Sequence, residues 1–181
     1  MPMYRTSFLY ASNWVVDYKA KAYMGAWEFE YTIIKESNNK LGFDLYLVDI
    51  HGLLDRQKIY GYPDDAERFT AFQIAVVHWM SHWNHRPSVV HCHDYHAGFI
   101  PFMMQHCYVY NNLAAIPTLL TIHNAQYQGC MDWNKSNFLP AWDKGQWGLL
   151  DWDNKINPLA CGVKCASAVT TVSPSYMAEL Q

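Results

Sequence analysis

Ile116-Pro117-Thr118-Leu119-Leu120-Thr121-Ile122-His123-Asn124 is the stretch that decides the fold. Behind Pro117 it is apolar and β-branched for the length of one strand, and it turns polar at its last two residues. A second run of the same kind, Ser88-Val89-Val90-His91-Cys92-His93-Asp94, precedes it, and Ala168 to Val172 follows it. Between these runs the sequence predicts helices. One covers Ala97 to Cys107, with Pro101 placing its first turn near Phe99; another covers Ile156 to Cys165; a last one opens at Ser173-Pro174. Strands alternating with helices are the pattern of right-handed parallel β-α units, so the fold class is α/β with a parallel sheet flanked by helices. In such sheets ligands bind beyond the carboxyl ends of the strands. His93-Asp94 and His123-Asn124 stand at those ends.

Toward the N-terminus, residues 4 to 34 read as extended segments, Ser37-Asn38-Asn39-Lys40 as a turn, and Phe43 to Ile50 as an apolar run of strand length. A loop from His51 to Tyr62 ends at Pro63. Asp64 or Asp65 is placed to cap the next helix, with Glu67 in its first turn. Phe69, Phe72, Val76, Trp79, Met80 and Trp83 recur at three- and four-residue spacing, which predicts one apolar stripe on a long amphipathic helix. Residues 125 to 155 read as a long polar-aromatic segment carrying Trp133, Trp142, Trp147 and Trp152.

The 181 residues have the length of one ordinary domain, and half of them are apolar. The net charge of -3 comes with 13 thinly spread basic residues, which argues against a nucleic-acid surface. No window reaches the ~20 apolar residues of a membrane span, and the first residues do not read as a secretion signal. Five cysteines at irregular spacing fit reduced thiols in a cytoplasmic protein better than a disulfide framework. Cys161 and Cys165, one helical turn apart, fit small buried hydrophobes better than half a metal site.

Three groups could carry chemistry. His91-Cys92-His93-Asp94-Tyr95-His96 offers a zinc reading through His91, His93 and His96, but its spacing is not that of a helical His-Glu-x-x-His site and no fourth ligand is placed. The alternatives are a core role for His91 on its strand, a polar pocket of His93, Asp94 and His96, and a helix cap at Asp94. His78 and His82 share a helix face; a solvated flank is the favoured reading over a metal pair. Thr121-Ile122-His123-Asn124-Ala125-Gln126-Tyr127-Gln128-Gly129 leaves its strand as a loop of hydrogen-bonding side chains, which suits a polyhydroxyl ligand because His, Asn and Gln pair with hydroxyls without burying a full charge.

Taken together, Asp55-Arg56-Gln57-Lys58-Ile59-Tyr60-Gly61, Asp64-Asp65-Ala66-Glu67-Arg68-Phe69, His91 to Gly98, Thr121 to Gly129 and Thr170-Thr171-Val172-Ser173-Pro174-Ser175-Tyr176 resemble, in order and interval, the bacterial glycogen synthase and plant starch synthase family. The motifs cover residues 43 to 181. The resemblance implies the N-terminal part of a two-domain, Rossmann-like (GT-B type) retaining glucosyltransferase with its site in the cleft between domains. It implies ADP-glucose (or UDP-glucose) as donor and the non-reducing end of an α-1,4-glucan such as glycogen as acceptor. No cofactor and no essential metal are implied, and neither is a membrane or a nucleic acid as partner. His123 and Asp94 are the catalytic candidates by position in the motifs, His123 through its backbone carbonyl at the oxocarbenium-like centre and its ring at the glucosyl 6-hydroxyl. Asn124, Tyr60, Gln126 and Tyr127 are the substrate-binding candidates.

The family's donor-binding Lys-x-Gly-Gly-Leu loop and its phosphate-gripping C-terminal domain do not occur in these residues. Residues 1–181 are therefore expected to form a single, incomplete N-terminal catalytic domain, inactive until joined to the remainder of its own chain. The tryptophans of 130–155, Trp142 and Trp147 among them, read either as a stacking platform for glucan or, at least equally well, as part of an insertion packed on the sheet. Two rival readings stand beside the transferase: a non-catalytic glucan-binding module, and a zinc hydrolase built on His91, His93 and His96.

Overall fold

The computed structural model describes residues 1–180. A short helix α1 (Ser7–Tyr10), capped by the Thr6 hydroxyl, interrupts the extended N-terminal stretch. Strands β1 (Trp14–Met24), β2 (Trp27–Glu36) and β3 (Tyr46–Asp49) then form an antiparallel sheet in the order β1-β2-β3. The β1–β2 turn needs Gly25: its φ is +62°, and a β-carbon there would sit 3.0 Å from the Asn137 carbonyl oxygen. Phe29, Tyr31 and Ile33 alternate onto the buried face of β2. The turn after β2 is held by Glu36, whose carboxylate accepts the Asn38 and Lys40 amides at 3.0 and 3.1 Å. The apolar run from Phe43 pairs only from Tyr46 onward, and Phe43 is exposed.

Helix α2 (Asp65–Ser81) corrects two expectations. It has no single apolar stripe. Arg68, Phe69, Thr70, Ala71, Phe72, Gln73, Ile74, Ala75, Val77 and Met80 are all buried, because the helix lies between the antiparallel sheet and the second half of the molecule. Neither Asp64 nor Asp65 caps it with a side chain in the expected way. Asp64 takes a two-pronged ion pair from Arg56, at 2.6 and 2.7 Å, and Asp65 accepts the Gly61 and Tyr62 amides at 2.6 and 3.1 Å. These acids fasten the preceding loop onto the helix.

The solvated-flank reading holds for His82, which is exposed, but not for His78. His78 is half-buried and its Nδ1 lies 2.6 Å from the Tyr31 hydroxyl. Burial raises the Tyr31 phenol above its ordinary range, so it stays protonated. Burial, then the neighbouring His82, holds His78 below the usual histidine value of 6.5. Burial also lowers His96 and His106. A histidine whose folded pKa is depressed stabilises the fold above its unfolded pKa and loses that contribution as pH falls through 6.5 toward the folded value. The urea midpoint of the purified protein is therefore expected to be lower at about pH 5.5 than at about pH 7.5, and replacing His78 by Gln should flatten part of that slope. A midpoint that stays level or rises on acidification would contradict this.

The second half contains the expected parallel sheet, β4 (Val90–His93), then α3 (Ile100–His106), β5 (Thr118–Ile122), a segment of short turns, α4 (Trp147–Leu150), the hairpin β6 (Asp151–Trp152) and β7 (Lys155–Ile156), α5 (Pro158–Cys165), β8 (Ala168–Thr171) and α6 (Pro174–Glu179). The sheet order is β4-β5-β8, all parallel, with His93 opposite Thr121 and Ile122 opposite Thr171. Asn157 caps α5 and Ser173 caps α6. Gln73 ties α2 to this layer by accepting the Phe99 amide at 2.7 Å. Gly98 lets α5 approach closely: a β-carbon there would lie 2.1 Å from the Pro158 carbonyl oxygen. The cysteines are free thiols, with Cys92, Cys107, Cys161 and Cys165 buried in the core.

Candidate active site

The site is built on the ends of β4 and β5. Asp94 follows β4 with φ +54° and ψ -171°, a conformation that costs a non-glycine residue of order 1–3 kcal/mol and persists only where the surroundings enforce it. They do so here. The Asp94 amide donates to the Thr121 carbonyl at 3.0 Å, and its carbonyl accepts from Ala97 at 3.2 Å. Its carboxylate Oδ1 accepts two amides from the neighbouring strand end, His123 at 2.8 Å and Asn124 at 3.2 Å. The helix-cap reading of Asp94 is thus corrected, since no side-chain cap bond forms and the carboxylate crosses to β5 instead.

The next two amides of the loop are also occupied. The Ala125 amide donates to the Tyr176 hydroxyl at 2.8 Å, and the Gln126 amide donates to the Asn124 side-chain oxygen at 2.9 Å. Gln128 clasps the far end. Its Nε2 donates to the Ala125 carbonyl at 3.0 Å, and its Oε1 accepts from buried Asn157 at 2.7 Å. Gly129 closes the loop at φ +71°, where a β-carbon would fall 2.3 Å from the Tyr95 ring. Four successive amides each meet a side-chain acceptor. The carbonyl oxygen of His123 accepts no hydrogen bond among the described residues. The His123 ring, the Asn124 side chain and Gln126 are exposed at the rim. Tyr127 is exposed as well, with the exposed Tyr60 ring 6.4 Å away on the fastened 52–62 loop.

Three histidines form a ladder across the strand ends. His91 and His93 stack with centroids 4.2 Å apart, and His93 Nδ1 lies 2.9 Å from His123 Nε2. His91 is exposed on the sheet face and pairs through Nε2 with the Thr121 hydroxyl at 2.6 Å, so it is not a core residue facing a helix. His96 turns away to stand edge-on to Phe69 at 4.4 Å. The zinc triad of His91, His93 and His96 is therefore not assembled, and among the described residues no group of three or more His, Cys, Asp or Glu side chains converges on a point. Desolvation, then His91 and His123, lowers the His93 pKa.

All six candidates named from the sequence gather along one rim: Asp94, His123, Asn124 and Gln126 by hydrogen bonds, Tyr60 and Tyr127 by their rings. Tyr176, Gln128 and Asn157 hold the loop and were not singled out, although Tyr176 and Gln128 lie inside the motifs. Trp142 is not a platform residue. It is 4 % exposed and stands edge-on to Phe102 in the core, so an alanine there reports on packing. Trp147 and Trp152 remain exposed. A hollow of about 790 Å³ beside β8, mostly apolar with Val163, Val169, Val172 and Met177 but also lined by Gln128, Lys164, Thr171 and Ser173, includes none of the six rim candidates.

A family model described as the starch synthase catalytic domain matches residues 1–181. The chain belongs to this family. It is 46% identical over 180 residues to the glycogen synthase of Flavobacterium johnsoniae, a match that covers 99% of this chain and 38% of that protein. It is 38% identical over 146 residues to the glycogen synthase of Lactobacillus acidophilus, covering 77% of this chain and 30% of that one. The fold matches the catalytic domain of starch synthase IV from Arabidopsis thaliana, bound to ADP and acarbose, with a TM-score of 0.80 at 22% identity over 93% of this chain and 36% of that one. The chain thus spans less than two-fifths of the length of these family members. No helix among the described residues is long and apolar enough to cross a membrane.

Proposed function

We propose that residues 1–181 are the incomplete N-terminal catalytic domain of a cytoplasmic glycogen or starch synthase. The longer protein moves glucose from ADP-glucose to the 4-hydroxyl at the non-reducing end of an α-1,4-glucan, with retention. One observation carries the reading: Asp94 holds the amides of His123 and Asn124, while the His123 carbonyl accepts no hydrogen bond among the described residues and the His123 ring stands exposed at the rim. A carbonyl dipole aimed at the glucosyl centre stabilises the positive charge that develops there, and a fixed loop makes that stabilisation free of reorganisation. The leaving diphosphate, on the same face, takes the acceptor proton, so no carboxylate nucleophile is required. His123 and Asn124 bind glucosyl hydroxyls, and Gln126, Tyr127 and Tyr60 shape the rim. The remainder of the chain supplies the groups that neutralise the diphosphate, and the step uses neither a metal nor a cofactor.

The test is the full-length protein assayed with ADP-glucose, UDP-glucose and maltooligosaccharides. His123→Ala, which removes the ring and keeps the backbone carbonyl, is expected to lower kcat roughly a hundredfold with the fold intact, through loss of the ring's contact to the glucosyl unit. The 181-residue chain alone is expected to transfer no glucose. Maltooligosaccharide binding without turnover by the full-length protein would favour the glucan-binding module instead.

A further inference from the structure

We propose that His93 is the positioning residue of the site: its Nδ1 engages Nε2 of His123, fixes the plane of that ring, and leaves Nδ1 of His123 as the nitrogen offered to the sugar. The inference rests on the transferase reading above. Two ring nitrogens 2.9 Å apart can be joined only by a single proton, donated by one ring and accepted by the other. Once Nε2 is engaged in this way, the remaining ring nitrogen of His123 is Nδ1. The contact is itself braced. His93 stacks on His91, whose own Nε2 is held by the Thr121 hydroxyl, and the backbone beneath His123 is pinned by Asp94. The charged or titratable groups facing His93 are His91 and Asp94 from its own strand end and His123 from the loop after β5. Protonating both rings would set two imidazolium cations against each other, with a hydrogen on each facing nitrogen, and break the bond. The site thus keeps at least one of the two rings neutral next to a reacting centre that becomes positive.

The experiment uses the full-length synthase and two variants. His93→Phe keeps a ring on His91 and removes the nitrogen; His93→Asn keeps a hydrogen-bonding atom near the Nδ1 position. His93→Phe is expected to lower kcat about tenfold to a hundredfold with the donor KM changed less than about threefold, and His93→Asn to recover most of the loss. The ring nitrogens of His123 are read by NMR in histidine-labelled protein, with the assignment taken from the signals lost in His123→Gln. Their shifts are expected to move in His93→Phe and return toward the parent values in His93→Asn. Unchanged His123 shifts, or an unchanged kcat in His93→Phe, would overturn the proposal. If the parent protein transfers no glucose yet the shifts move, the contact stands and the transferase reading fails.

Discussion

Arg68→Ala is expected to cost about 3 kcal/mol of stability, the low end of the range for breaking a buried charge pair, because Arg68 is buried while its partner Asp65 is partly exposed. Arg68 is fully buried, with 0 % of its surface exposed. Its guanidinium donates to the Asp65 carboxylate, to the Leu53 carbonyl at 2.7 Å and to the Ile59 carbonyl at 3.2 Å, and lies over the Tyr62 ring at 4.7 Å. Deleting it leaves the Asp65 carboxylate with only the Gly61 and Tyr62 amides and takes the donor from two carbonyls of the 52–62 loop. For a chain of this size the loss corresponds to a fall in Tm of roughly 10 °C, read by calorimetry or circular dichroism. Arg68→Lys should recover only part of it, because a single ammonium cannot reach three divergent acceptors at once. Pairing Arg68→Ala with Asp65→Asn should cost less than the sum of the two changes. A variant within about 1 kcal/mol of the parent would show that the loop finds other partners. The same change should raise the donor KM if Tyr60 binds substrate, since Ile59 is one of the residues Arg68 holds.

Asp94→Ala is expected to remove activity by roughly a hundredfold or more in the full-length protein, because two amides lose their acceptor and a misplacement of about 1 Å is enough for such a loss. The strained backbone gives a way to separate causes. Asp94→Gly relieves the positive φ while removing the carboxylate, so stability should hold or rise while activity stays lost. Asp94→Asn keeps an acceptor and carries the same backbone strain as the parent, and should cost only about tenfold. If glycine restored activity, strain rather than the two amide bonds would be what Asp94 contributes.

The parallel sheet was legible because each of its strands is an apolar run ended by polar residues, and period and punctuation are local properties of sequence. The loop from His123 to Gly129 was legible for the same reason, together with its place among ordered motifs. The burial of α2 was not. Thr70 and Gln73 look like a solvated face, and they are buried because a second layer arrives from residues far away in the chain. Asp64 and Asp65 stand where caps stand, yet Arg56 and the Gly61 and Tyr62 amides outcompete the helix for them. His96 and Trp142 were read by residue type, and their neighbours Phe69 and Phe102 made one an aromatic packing group and the other core. The His93–His123 contact depends on strands β4 and β5 lying in one register, which spacing along the chain does not reveal.

Helix α2 has no free side, and that shapes how the molecule comes apart. The antiparallel sheet packs on one flank of the helix, and α3 with the short turns before and after it packs on another, so removing either layer would put part of a buried helix into water. The two layers therefore cannot melt one after the other, and an amide-exchange experiment should find β2 and β5 opening with a single shared free energy. The rim that carries His123 inherits the stiffness of the whole: it is one corner of a single cooperative block, not a loop with an independent life.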